Sequence, residues 1–353
     1  MNPTVSIIVP IYNAQAHLEE TVNSLLAQTY RELEIVLVND GSTDKSPEIC
    51  RSFAEKDSRV KVINKQNGGS VAARRTGREN STGEYVMFAD ADDWYSGDAV
   101  QVLMTAIEKE GADIAIARFI FVNSLKNEKL NALDSLGRYI KHKTVYQGDE
   151  LRQRIIRSFL HREPMPPTLY AKMYKRELFH DIYRYAEGMV FYGDDLHVNM
   201  ALFANADKVV MVDKVVYYYR TGGGTTKYMP SLFNDLVWSY KNKLKLMADF
   251  GFEADTALVS EYFIAFIEMA VNNLLLDKTR GRREYMEKIT EYVNDPTVRQ
   301  ACERSDKSRL RAIELMVVEK DVDGIYKYAS NTVRKSKYRQ KIKKILARFG
   351  VRC

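Results

Sequence analysis

Through the first third of the chain, short apolar runs alternate with longer stretches in which apolar residues return every three or four positions. Val5–Ile11, Ile35–Asn39, Val60–Ile63 and Tyr85–Ala89 are the runs, and strands covered on both faces read this way. Between the first two, Ala16–Gln28 places Leu18, Val22, Leu25 and Leu26 on one helical face. The next helix is expected to open at Ser46-Pro47, a hydroxyl cap followed by proline at the first helical position. A third runs from about Ser70 to Glu79, and a helix over Ala99–Glu110 leads to a strand over Asp113–Phe121. Strand–helix–strand alternation at this spacing predicts a mostly parallel sheet flanked by helices. Right-handed crossovers would then gather the strand C-terminal ends on one edge, where such sheets bind ligands.

The pattern weakens afterwards. Residues 122–148 carry no assignable period. A mixed region over 149–220 ends in the strand-like Val215-Val216-Tyr217-Tyr218-Tyr219. Beyond Ser231 strand signals vanish, and helical runs at 231–250, 256–277, 284–293, 308–319 and 333–348 predict an all-helical C-terminal domain. Gly222-Gly223-Gly224 reads as a hinge or covering loop. The expected division is 1–121, 122–230 and 231–353.

Composition narrows the class. Of 353 residues, 45% are apolar and 28% charged, which suits a globular fold. No stretch of about 18 uncharged apolar residues exists; Leu258–Leu276 carries Glu261 and Glu268. No secretory leader is read at the start, and three scattered cysteines give neither a disulfide framework nor a CxxC site, so a reducing cytoplasm is expected. Net charge is +6, but no acidic residue follows Asp323 while ten Lys and Arg do, leaving −4 for residues 1–323. Within that tail Ile342, Ile345, Leu346 and Phe349 form a helical stripe between the basic residues. The helix over 333–352 would either lie on anionic lipid or pack on the body. No nucleic-acid motif accompanies the charge, so none is expected as a partner.

Candidate chemistry lies at the expected strand ends. Phe88-Ala89-Asp90-Ala91-Asp92-Asp93-Trp94 packs three carboxylates into four positions. They repel one another and suit a hard divalent cation shared with phosphates. Pro10-Ile11-Tyr12-Asn13 ends strand one, Asn39-Asp40-Gly41 ends strand two, and Asn67-Gly68-Gly69 with Arg74 follows strand three. Singly these read as turns. Together they fall on one rim.

These strings, with Phe191-Tyr192-Gly193-Asp194-Asp195-Leu196-His197-Val198-Asn199 and the tyrosine run ending at Arg220, resemble family 2 glycosyltransferases of the bacterial surface-polysaccharide type over roughly residues 4–225. The family's usual Glu-Asp is Asp194-Asp195 here, which leaves Asp195 aligned. The resemblance implies a GT-A, Rossmann-like α/β fold. Its donor-binding half would be 1–121, its acceptor side 122–230, with the helical domain added. It also implies Pro10, Tyr12 and Asn13 lining a nucleotide pocket, Asp40 accepting from the base, and Arg74 near the diphosphate. Asp90 and Asp92 would hold Mn²⁺ or Mg²⁺, Ala91 would lie against the nucleotide-sugar, and Asp195, beside Asp194, would be the base of an inverting transfer. Donor and acceptor would be a nucleotide-sugar, typically a UDP-sugar, and a glycan or lipid-linked glycan, met in the cytoplasm or at the inner membrane face. A dehydrogenase is excluded because no GxGxxG follows strand one, and a P-loop is absent. A non-catalytic nucleotide-sugar-binding scaffold is the remaining alternative.

Overall fold

The structure, a computed structural model, describes residues 3–123, 128–130, 136–161, 165–185, 193–221 and 228–333. The chain divides into two compact units, Met1–Gly223 and Gly224–Cys353. The expected glycine hinge and nearly all of the basic tail (334–353) lie outside the described residues.

The first unit follows the alternation closely. Its elements are β1 (Val5–Ile11), α1 (Leu18–Leu26), β2 (Leu33–Asp40), α2 (Ser46–Lys56), β3 (Val60–Lys65), α3 (Gly69–Glu79), β4 (Tyr85–Phe88), β5 (Trp94–Tyr95), α4 (Ala99–Glu110) and β6 (Ile114–Asn123). The unassigned stretch contributes two short strands, β7 (Glu128–Leu130) and β8 (Val145–Gln147). Then come β9 (Lys172–Lys175), α5 (Asp194–Ala204) and the long β10 (Lys208–Thr221), which contains the tyrosine run. One sheet holds them in the order β3-β2-β1-β4-β9-β6-β10-β5, with β7 on β6 and β8 on β10.

β1, β2, β3 and β4 are mutually parallel where they pair, as are β6 and β10. β9 lies antiparallel between β4 and β6, and β5, β7 and β8 also pair antiparallel with their neighbours. The reversed direction of β9 puts its first residue, Lys172, toward the C-terminal ends of its neighbours rather than away from them. The sheet order turns back at β1, so its far end is a topological switch point. Past the Ile8–Phe88 pair β1 has no ladder to β4, and Pro10, which lacks an N–H, is tolerated there.

Packing explains the precision of this rim. Ile7, Val9, Ile11, Ile35 and Leu37 are fully buried. Gly77 of α3 lies so close to the sheet that a Cβ would come within 2.4 Å of Ile8 Cγ2. The absence of a side chain there lets α3 settle directly on β1 and β2, which fixes where Arg74 reaches. Ser46 does not cap α2 as expected. It is the first helical residue, its N–H donates to Asp44 Oδ1, and its Oγ accepts from Ala14 N–H, joining the two loops.

The second unit is helical: α6 (Leu232–Phe250), α7 (Thr256–Leu274), α8 (Arg282–Asn294), α9 (Pro296–Arg304), α10 (Ala312–Glu319) and a further helix over 322–333. α6 and α7 pair through Tyr240 and Phe263, stacked at 4.6 Å, with the Tyr240 hydroxyl 2.8 Å from Ser260 Oγ. α9 was not expected. Its nine residues are capped by Asp295, which accepts from the Thr297 and Val298 N–H groups, with Pro296 at the first position. Among the described residues no helix is long and apolar enough to cross a membrane.

Candidate active site

The acidic loop after β4 is built around its last carboxylate. Asp93 is 1% exposed; it accepts the Arg220 N–H (2.7 Å) at Oδ1 and the Tyr217 hydroxyl (2.9 Å) at Oδ2. The same hydroxyl accepts from the Asp90 N–H at 3.0 Å. Asp93 thus latches the loop to β10. Burial first, then repulsion from Asp90 and Asp92, pushes its carboxyl up to about 8. The sequence marked the cluster but not this division of labour.

Arg220 completes the latch. Its Nε donates to the Asp92 carbonyl oxygen (2.8 Å), its Nη2 to Glu20 (2.6 Å), and its guanidinium lies 4.7 Å from the Trp94 ring centroid. Trp94 in turn stacks on Tyr218.

With Asp93 committed inward, Asp90 and Asp92 are the outward members. Asp92 is raised by burial and by Asp90, and among the described residues no other side chain hydrogen-bonds its carboxylate. That is the condition of a hard oxygen donor whose charge a cation would relieve, so Asp92 fits a divalent ion. Among the described residues no three His, Cys, Asp or Glu converge into a full metal cage. One or two carboxylates plus substrate phosphates is the arrangement expected of Mg²⁺-type sites.

Arg74 is the centre of the rim. Its Nη2 lies 3.0 Å from Asp90 Oδ1 and its Nη1 2.8 Å from Asp195 Oδ1. Two acidic residues 105 positions apart are therefore held on one guanidinium. Both carboxylates remain about a quarter exposed. Tyr219 registers the same convergence: its phenol is pushed up to about 12, first by burial and then by Asp93, Asp90, Asp92 and Asp195.

Asp195 stands in the first turn of α5, and that helix is pinned from below. Asn199 Nδ2 donates to the Asp195, Pro167 and Thr168 carbonyl oxygens, while its Oδ1 accepts from the Tyr174 hydroxyl. The Asp194 side chain lies outside the described set, as do Phe191 and Tyr192. His197 is fully buried, consistent with a core role.

The remaining sequence-predicted residues hold the loops of strands one to three together. Asp40 is 3% exposed and accepts from Lys65 Nζ, Gly68 N–H (3.0 Å) and Gly69 N–H (2.8 Å), anchoring the start of α3. Gly41 has φ of +72°, and a Cβ there would press on the Asn67 nitrogen at 2.8 Å. Asn13, at φ +52°, accepts the Thr43 N–H, while its own N–H donates to Ser42 Oγ. Tyr12 is 56% exposed, Pro10 is partly exposed, and Ala91 is buried with its carbonyl accepting from Thr21.

Comparison with known proteins settles the family. The model of the family described as glycosyl transferase family 2 matches residues 6–183, half of the chain. The chain belongs to glycosyltransferase family 2. Glycosyltransferase GlyA of Streptococcus pneumoniae is 32% identical over 256 residues, 72% of this chain but only 36% of GlyA. The uncharacterized glycosyltransferase EpsJ of Bacillus subtilis is 31% identical over 254 residues, covering 71% of this chain and 72% of EpsJ. Among solved structures, residues 1–349 of TarS from S. aureus, in complex with UDP-GlcNAc, superpose with a TM-score of 0.67 at 20% identity, over 94% of this chain and 92% of that one. The likeness shows the fold, so the family 2 chain has the expected GT-A arrangement.

Proposed function

We propose that this family 2 member transfers a sugar from a nucleotide-sugar, a UDP-sugar above all, to a hydroxyl of a glycan or lipid-linked glycan. The observation that carries the reading is the Arg74 bridge between Asp195 and Asp90. It puts a candidate base within one guanidinium of the carboxylates that would meet the diphosphate. The UDP-GlcNAc complex of TarS supports the donor class at the level of fold.

In this reading the nucleoside lies over the loops of β1 to β3. The exposed ring of Tyr12 stacks on the base, with Pro10, Asn13 and Ala91 completing the wall. Asp40 accepts from the base through the Oδ2 lone pair that Gly69 leaves unused. Asp92, with Asp90, would hold Mn²⁺ or Mg²⁺, which when bound supplies Lewis-acid stabilisation of the departing diphosphate. Arg74 meets the same anion and orients Asp195. Asp195 takes the proton of the acceptor hydroxyl as its oxygen attacks the anomeric carbon opposite the leaving group, so configuration inverts. The basic tail would hold the enzyme at the inner membrane face beside a lipid-linked acceptor.

The test is UDP release from a panel of UDP-, GDP- and dTDP-sugars with Mn²⁺, followed by transfer assays on Asp195→Asn. That variant keeps nucleotide binding within about threefold and loses on the order of 10²–10⁴ in transfer. Normal transfer by it removes Asp195 from the base role.

A further inference from the structure

Two tyrosines beside the acidic loop carry hydroxyls that the reaction as drawn does not use. Tyr170, just before β9, is 5% exposed, and among the described residues its hydroxyl has no hydrogen-bond partner. The Tyr219 hydroxyl, on β10, has none either, and that ring is only partly buried. Their neighbours show the contrast: Tyr95, Tyr174 and Tyr217 are buried, and each hydroxyl donates to an oxygen at 2.8–2.9 Å. Withdrawing a phenol from water without a partner costs free energy, which a ligand oxygen would recover.

Around these two tyrosines four rings brace one another in a closed circuit. Phe119 meets Phe121 edge-on at 5.6 Å, and Phe121 meets Tyr219 edge-on at 5.3 Å. Tyr219 leans on Tyr170 at 5.7 Å, and Tyr170 returns edge-on to Phe119 at 5.1 Å. The ladder supports the circuit, since Tyr219 lies opposite Phe121 where β10 pairs with β6. Such contacts fix the angle of each ring, yet Phe119, Phe121 and Tyr219 remain partly exposed. Tyr217 stacks on Tyr170 at 4.2 Å and ties the circuit to the reacting centre. Its hydroxyl accepts from the Asp90 N–H and donates to Asp93, and Arg74 bridges Asp90 to Asp195. On the other side of Tyr219, the Arg220 N–H donates to Asp93.

We propose that this aromatic wall is the subsite for a sugar ring of the acceptor, its C–H face lying on Tyr219 and Phe121 and its hydroxyls meeting the two unpartnered phenols. The inference deepens the proposed function and rests on it. A pyranose presents a C–H face rimmed by hydroxyls, and rings with polar tips answer both halves. The four rings bring no positive charge, so a phosphate is not what they recognise. Sheet order assigns the wall to the acceptor rather than to the donor's own sugar. In the proposed function the nucleoside lies over β1 to β3 and the diphosphate at the end of β4. β6 stands two places further along, roughly 10 Å across the sheet.

The probes are methyl glucoside, methyl galactoside and methyl N-acetylglucosaminide, offered to the full chain saturated with UDP and Mg²⁺ and read by saturation-transfer NMR. At least one should receive saturation at its ring C–H protons. Tyr219→Leu should weaken its binding about tenfold and Tyr170→Phe about three- to tenfold, with UDP affinity within about twofold of wild type. The thermal midpoint of Tyr170→Phe should be unchanged or higher, because the hydroxyl it removes has no partner. A merely structural tyrosine would lose stability and leave sugar binding alone. Binding of none of the three pyranosides, or wild-type binding in both variants, contradicts the proposal. So does loss of the pyranoside when UDP-sugars replace UDP, which would give the wall to the donor's own sugar. If the expected pattern appears while no nucleotide-sugar is turned over, the transferase reading fails and the sugar site stands.

Discussion

Two buried lysines, one in each unit, sit in opposite surroundings. Lys243 of α6 is 7% exposed; among the described residues it has no ion-pair partner, and burial alone pulls it down to about 8. Lys172, at the sheet rim, is buried more completely but donates to the Thr168 carbonyl oxygen and has the charge of Asp195 acting on it. The rest of the rim repeats the second case. Asp40 has three donors, Lys65 among them, and Arg74 has two carboxylates. A solitary buried charge weakens the fold and does nothing else visible; charges buried against one another hold atoms in place for chemistry.

Breaking the rim should therefore show in activity, and breaking the helical site in stability. The largest effect is expected from Arg74→Ala, which removes the shared cation: UDP release should fall by on the order of 10². Arg74→Lys keeps a charge but not the two-pronged geometry, and steady-state kinetics should show about a tenfold fall in kcat with a smaller change in KM. Equal activity of the lysine variant and wild type would show that the bridge does not matter.

The smaller effect concerns Lys243→Met. Below pH 8 the folded state carries the full cost of the buried ammonium. Between about 8 and the unfolded value of 10.5 the folded protein binds fewer protons than the unfolded one, so stability rises with pH. Lys243→Met should add about 1–4 kcal/mol at pH 7 in urea unfolding and erase that rise. Loss of stability at pH 7 would mean that the ammonium has a partner in solution.

How much of this the sequence carried depends on whether the cause was local. β1 to β4 were legible because buried parallel strands are apolar end to end, as Val5–Ile11 shows. The gathering of Pro10, Asp40, Arg74, Asp90 and Asp92 followed from topology, and the closeness of Asp195 from the resemblance. β9 was not legible. Lys-Met-Tyr-Lys has neither alternation nor an apolar run, and its place is set by β4 and β6, which lie far away in sequence. For the same reason nothing in the sequence marks Lys172 as buried, and nothing in the run Asp90–Asp93 says that the last carboxylate turns inward to Tyr217 and Arg220, more than 120 positions later. α9 escaped because only Val298, Ala301 and Cys302 of its nine residues form an apolar face.

Under the proposed function, carboxylates from the two ends of the first unit serve one nucleotide. A crystal structure of the full chain with UDP and Mn²⁺, read by anomalous scattering from the metal, tests this most directly. The expected result is a manganese peak against Asp92, UDP over the β1 and β4 strand ends, and Asp195 on the open side of the diphosphate. Nucleotide and metal bound elsewhere on the chain, with the Asp90–Arg74–Asp195 bridge untouched, would contradict it.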